Sequence, residues 1–193
     1  MRKSERTFPV RCEFRFSFFA VLGFMVCTDS DGTMLLCALA CLLHELGHLT
    51  VMLVLGDPPD SLVFYGGGIH IRGGCTGFPA VIAGCAVNTA LFLVFGLIPW
   101  ENEQVRLFGV INLLIAAFNL LPVRELDGHR LLELTLIHAF TPEKAARLTD
   151  ICERVMLIII LPSVILLVFS GRLNFSAIIF FFYLLVVEFF EKI

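Results

Sequence analysis

Apolar residues in this chain do not alternate with polar ones at the period of a half-buried strand or a surface helix. They come in long blocks, at about 14–27, 33–55, 78–98, 105–121, 151–170 and 173–189, separated by shorter polar breaks. A helix needs about 20 mostly apolar residues to cross the hydrocarbon core of a bilayer. The pattern therefore predicts six transmembrane helices, the first of them short. Two of the breaks are unusual. Ser61–Gly74 carries short β-type runs around the triplet Gly66-Gly67-Gly68, which predicts a hairpin or re-entrant loop, too short and too broken to span. Residues 128–150 are of mixed polarity, with a helix-start signal at Thr141-Pro142-Glu143-Lys144, and are expected in the cytoplasmic interface. The fold class read from this pattern is an all-α polytopic membrane protein with about six transmembrane helices and a short re-entrant β-hairpin after the second.

Composition narrows the function classes. Hydrophobic residues make up 58% of the 193, charged residues 16%, and the mean hydropathy is +0.91. Soluble domains run at about 45–50% apolar and about 25% charged, and a soluble fold of this size could not bury the excess. A soluble enzyme, a disordered chain and a nucleic-acid binder are excluded. No Ser/Gly linker divides the chain, so one membrane domain over 1–193 is expected, with a core at about 33–128 and accessory helices at 14–27, 151–170 and 173–189. The net charge of −3 decides little, but its distribution does: with the N-terminus inside, eleven Lys and Arg fall on the cytoplasmic side, and two, Arg106 and Arg172, on the other. That asymmetry predicts both termini in the cytoplasm. Seven scattered cysteines without a CxxC predict neither a disulfide framework nor a cysteine metal site, and the N-terminal run ends without the small-residue pattern of a cleavable signal peptide.

The second apolar block contains Leu43-His44-Glu45-Leu46-Gly47-His48-Leu49. On a helix, His44 and His48 are i and i+4, so their imidazoles stand a turn apart on one face. Two nitrogen ligands of Zn²⁺ need that geometry, and Glu45 can reach a metal-bound water as general base. Three ionisable residues within five positions of a membrane span are expensive to keep without a partner; the plainer alternative is a polar cluster that hydrogen-bonds neighbouring helices. Catalytic zinc usually takes three protein ligands and leaves one position open. The best third ligand is Asp127, in Asn119-Leu-Leu-Pro122-Val-Arg124-Glu125-Leu-Asp127-Gly128. The second and fourth predicted spans both run toward the cytoplasm, which places Asp127 on the side of His44 and His48. Pro122 stops the preceding helix and Gly128 allows a close turn beside the ligand. Asp127 could instead cap the helix that follows, and His129 is the rival ligand. His70 and His138 read as ordinary loop or interface histidines.

His44-Glu-Leu-Gly-His48 in one span, with Asn119–Gly128 in a later segment, resembles the site-2 protease family of intramembrane zinc metalloproteases. The layout without PDZ or CBS domains is most similar to its compact bacterial sporulation-protease branch. The resemblance implies hydrolysis of a peptide bond in or near a transmembrane segment of another protein, in a bacterial cell membrane and toward the cytoplasmic side. It implies one Zn²⁺ per chain, held by His44, His48 and Asp127, with Glu45 activating the water. Two further elements match: Gly84-Cys-Ala-Val-Asn88, where Asn88 would meet substrate or the oxyanion or else bond between helices, and Asn119, with a positioning role. Gly66, Gly67 and Gly68 match the family's re-entrant β segment, where an edge strand would pair with an unwound substrate. The implied partners are a membrane-protein substrate and the lipid bilayer, with a regulatory membrane protein and self-association left open and no nucleic acid. One departure stands out: Arg124 and Glu125 occupy positions where family members often carry prolines. Two other functions stay open at this stage, a catalytically silent scaffold that binds transmembrane segments without cutting them and, more weakly, a metal transporter.

Overall fold

The computed structural model describes residues 10–66, 68–124 and 126–169. The elements run β1 (Arg11–Phe14), α1 (Phe16–Thr28), α2 (Thr33–Val54), β2 (Ser61–Tyr65), β3 (Gly68–Arg72), α3 (Phe78–Phe95), α4 (Glu103–Asn119), α5 (Asp127–Ile137) and α6 (Pro142–Phe169). The polar break after α1 separates two helices by supplying the start of the second. Asp29 accepts from the backbone N–H groups of Met34 (3.2 Å) and Leu35 (3.0 Å), and Asp31 from that of Thr33 (3.2 Å). These are the first-turn donors that no intrahelical carbonyl can satisfy. The Thr33 backbone N–H beside Asp31 also holds its carboxyl below the usual carboxylate range. Gln104, at the start of α4, donates to the Asp31 carbonyl at 3.0 Å and ties the two helix starts together.

Helices α2, α3 and α4 pack against one another and form the centre of the molecule. The faces are reversed with respect to a soluble protein. On α2, Leu35, Leu39, Leu42, Leu46 and Leu53 point outward, whereas Ala40, His44, Gly47, His48 and Met52 are buried. On α3 the inward residues are mostly small: Ala80, Ala83, Gly84, Cys85 and Asn88. Small side chains let helix backbones approach closely where lipid, as apolar as leucine, offers no hydrophobic drive for association. At Gly47 the approach reaches its limit, since a Cβ there would lie 2.9 Å from Val87 Cγ2 and 3.0 Å from the Ala83 carbonyl. Helices α2 and α3 are each long and apolar enough to cross a membrane.

The expected hairpin exists as β2 and β3, antiparallel with Ser61 opposite Arg72 and Tyr65 opposite Gly68. Its partner is unexpected. β1 adds to β2 in parallel, Arg11 opposite Ser61 through Phe14 opposite Phe64, so the sheet order is β1-β2-β3. Phe14 stacks on Phe64 with ring centroids 4.4 Å apart. The sequence expectation that the first helix begins at 14 is corrected: Phe14 ends a strand, and the helix starts at Phe16. The described glycines of the triplet take different places in this hairpin. Gly66 lies in the turn, its N–H taken by Ser17 Oγ at 3.1 Å, and Gly68 opens β3 with φ +129°, a value L side chains avoid. Gly67 lies outside the described residues. Gly66 thus belongs to the turn and Gly68 to the strand, and β3 is an edge strand of the sheet.

A second correction concerns the span expected at 151–170. The helix start at Thr141-Pro142 runs into it without a break, making α6 one helix of 28 residues, about 42 Å long against a hydrocarbon core of about 30 Å. Its polar first half, with Glu143, Lys144, Arg147 and Asp150, extends past the apolar part and packs on α5. The segment expected in the interface thus divides into α5 and the beginning of α6. The sixth expected span, 173–189, lies outside the described residues.

Replacing Gly47 by Ala is expected to cost about 1–3 kcal/mol through overpacking, lowering the melting midpoint of the detergent-solubilised protein by several degrees. Gly23→Ala, at a helical position with nothing within 4 Å of the added carbon, should leave the midpoint unchanged or raise it; paired thermal melts check both.

Candidate metal centre

His44 and His48 sit on the buried face of α2, 4% and 6% exposed. Their rings are nearly perpendicular, with centroids 4.8 Å apart, and their Nε2 atoms are 3.1 Å apart. Asp127 comes from the first residue of α5 and places Oδ2 3.0 Å from each Nε2. Three donor atoms from two distant stretches of chain therefore form a triangle with sides of 3.0–3.1 Å.

The other ring nitrogens are held from behind by α3. His44 Nδ1 is 3.2 Å from Asn88 Oδ1, and His48 Nδ1 is 2.7 Å from the Ala80 carbonyl. The Asn88 amide is oriented by its own donor, Nδ2, which reaches the Ala40 carbonyl at 3.4 Å. Both partners are acceptors, so each Nδ1 carries the proton, and in the neutral rings both Nε2 atoms are bare lone pairs. Such hydrogen bonds fix tautomer and ring orientation in histidine metal ligands. Two imidazole lone pairs and a carboxylate oxygen facing one another at 3 Å repel unless a cation lies between them. Neighbouring ligand atoms about 2.0–2.1 Å from a tetrahedral Zn²⁺ lie about 3.3 Å apart; the triangle fits such an ion with small adjustment. Where protons take the place of the ion, burial pushes the Asp127 carboxyl up, but hydrogen bonds from His44 and His48 outweigh it and hold the group down at about 2.

The surroundings keep this space clear. A Cβ on Gly84 would sit 2.6 Å from both Cε1 and Nε2 of His44, so only hydrogen fits there. Gly128 lets α5 start directly against the end of α4, where a Cβ would be 2.5 Å from the Leu121 carbonyl. Glu45 is half-buried beside the cluster and interacts electrostatically with His44, His48 and Asp127. Cys85 donates its S–H toward Asp127 Oδ2 at 3.7 Å and toward the Ala116 carbonyl at 3.9 Å. Its sulfur belongs to a wider donor group with His44 and Asp127, within 4.8 Å, but the triangle of His44, His48 and Asp127 is the tighter set.

The remaining residues singled out by the sequence lie elsewhere. Asn88 is completely buried with both ends of its amide engaged inside the protein. The expectation that it meets substrate or the oxyanion is replaced by the alternative of bonding between helices, here behind a histidine. Asn119 donates to the Ile115 carbonyl of its own helix at 3.0 Å. His129 is not gathered into the triangle, and its Nδ1 is buried without a partner among the described residues. His70 lies on β3, and His138 Nδ1 bonds the Leu134 carbonyl one turn back. Sequence reasoning missed two participants. Cys85 was passed over among the seven scattered cysteines, although Gly84 and Asn88 bracket it, and the Ala80 carbonyl, a backbone group, leaves no mark in a sequence.

Asn88→Ala removes the acceptor for His44 Nδ1 without touching either ring. Zinc affinity, measured by competition with a chelator, is expected to fall about 10–100-fold, the usual cost of losing such a partner.

Comparison with known proteins agrees with this geometry. Residues 101–163 match the model of peptidase family M50; that stretch contains Asp127, while His44 and His48 precede it. A provisionally named zinc metalloprotease of Synechocystis sp. is 34% identical over 103 residues, covering 47% of this chain and 27% of that protein. The chain thus spans about a quarter of that relative's length. The fold is shared with the site-2 protease of Methanocaldococcus jannaschii, with a TM-score of 0.59 and 20% identity over 83% of this chain and 82% of that one. The motifs, the matched family model and the common fold agree: the chain is similar to peptidase family M50 over residues 101–163 and shares the fold of a site-2 protease.

Proposed function

We propose that this protein is an intramembrane zinc metalloprotease that hydrolyses a peptide bond in or near a transmembrane segment of a membrane-associated protein. The observation that carries the reading is the convergence of His44, His48 and Asp127 within 3.1 Å of one another between apolar helices, with Glu45 next to the first of them. These three side chains would hold one Zn²⁺. When bound, the ion supplies Lewis acidity and lowers the pKa of a coordinated water toward about 7.

The chain's own residues do the rest. Glu45 takes the proton from the attacking water and returns it to the amine nitrogen as the peptide bond breaks. Asn88 and the Ala80 carbonyl keep both imidazoles pointed at the centre throughout. The outward leucines of α2 and the apolar faces of α4 and α6 meet lipid, and substrate must unwind locally, because the peptide groups of an intact helix are shielded. Membrane placement follows from charge: eleven Lys and Arg on one side against two on the other support a multi-pass arrangement in a bacterial cell membrane, both termini and the active site toward the cytoplasm. Purifying this chain and a Glu45→Gln variant in detergent tests the reading. Near-stoichiometric zinc is expected in both, with cleavage of single-span substrates slowed about 10²–10⁴-fold in the variant. Zinc in both with cleavage in neither would favour a silent scaffold, and no zinc in either after reconstitution would overturn the metal centre. For topology, an alkaline phosphatase reporter, active only outside the cytoplasm, should work when fused after Ser30 and fail when fused after Pro58.

A further inference from the structure

Asp127 follows the connection between α4, which ends at Asn119, and α5. Local hydrogen bonds shape this stretch: Val123 N–H to the Leu121 carbonyl and Leu126 N–H to the Val123 carbonyl, both 2.8 Å. They fold the loop on itself but cannot set its height relative to the histidines of α2. Beside the contacts of Cys85 with Asp127 and of Gly128 with the end of α4, a further long-range tie comes from α6. Glu153 is 4% exposed, and its Oε1 accepts from the Arg124 backbone N–H at 3.2 Å. Its Oε2 lies 3.5 Å from Arg124 Nη2, and Asp150 Oδ1 lies 3.2 Å from that same nitrogen. A buried carboxylate is kept in a folded protein only when its partners are in place. Here both partners belong to one residue, three positions before the metal ligand.

We infer that Glu153 is a positioning residue for Asp127: its carboxylate clamps the Arg124 segment to α6 and sets where the third ligand sits. The inference rests on the metal-centre reading above. It also accounts for the departure at Arg124. A proline there would stiffen the loop through its fixed φ but has no N–H to give; this chain reaches the same end with a clamp from another helix.

The test uses the full chain in detergent, with zinc affinity by chelator competition and kcat and KM on a cleaved substrate. Glu153→Ala is expected to weaken zinc binding about 10–100-fold, as loss of an outer partner does, and to lower kcat while KM holds. Glu153→Gln keeps an oxygen for the Arg124 N–H and should recover most of the loss, which guards against misreading a folding failure. Asp127→Ala supplies the discriminating background: if Glu153 acts through Asp127, Glu153→Ala adds no further loss there. Wild-type zinc affinity in Glu153→Ala, or an additional loss in the Asp127→Ala background, overturns the inference and leaves the metal centre standing. A wild-type chain that binds no zinc overturns both.

Discussion

Each imidazole of α2 is controlled by the nitrogen that faces away from the centre, and the rest of the molecule is arranged around that fact. A bundle of apolar helices offers no water to satisfy a stray N–H, so His44 and His48 can turn inward only if α3 presents an acceptor behind each ring. Acceptors at 3.2 and 2.7 Å require α3 to lie almost against α2. That closeness in turn demands Gly47 on one helix and Ala83 and Gly84 on the other. The scarcity of large side chains on the inner face of α3 therefore follows from hydrogen bonding to two rings on its neighbour.

The two halves of the centre come from parts of the chain with different mechanical characters. The histidines ride on a 22-residue helix with a partner along its buried face. The carboxylate stands at the head of an 11-residue helix reached through a loop, and its precision is borrowed from Gly128 against the end of α4 and from the α6 clamp. Rigid placement on one side and tethered placement on the other suits a site in which the ligand atoms repel one another until a cation arrives.

Much of this was legible in the sequence, for a physical reason. Long apolar blocks declare helices through hydropathy alone, and the i, i+4 spacing of His44 and His48 needs only a helix to become a shared face. Asp127 was readable because the histidine pair calls for a third ligand and the predicted spans put this carboxylate on the same side. What escaped depended on contacts distant in sequence. Arg11–Phe14 has the composition of a basic, aromatic flank, and only Phe64 and its neighbours make it a strand. The start of α6 was visible at Thr141-Pro142, but its continuation to Phe169 was not, because polarity changes along a helix without interrupting it. Asn88 carried two readings of equal standing, which the position of its amide behind His44 separates. Glu153, an acidic residue in an otherwise apolar run, was itself a signal, since such residues in membrane segments ordinarily have a partner.

The parallel pairing of β1 with β2 constrains how the chain can be threaded. Strands joined by hydrogen bonds must be on the same side of any bilayer or at the same depth within it, and α1 and α2 are the two helices between them. The number of complete crossings made between Phe14 and Ser61 must then be even. An arrangement in which α2 traverses the membrane while α1 merely lies on its surface would tear the sheet apart. A strand of four residues thus acts as a parity check on the first two helices, requiring the short, 13-residue α1 to share the fate of its longer neighbour.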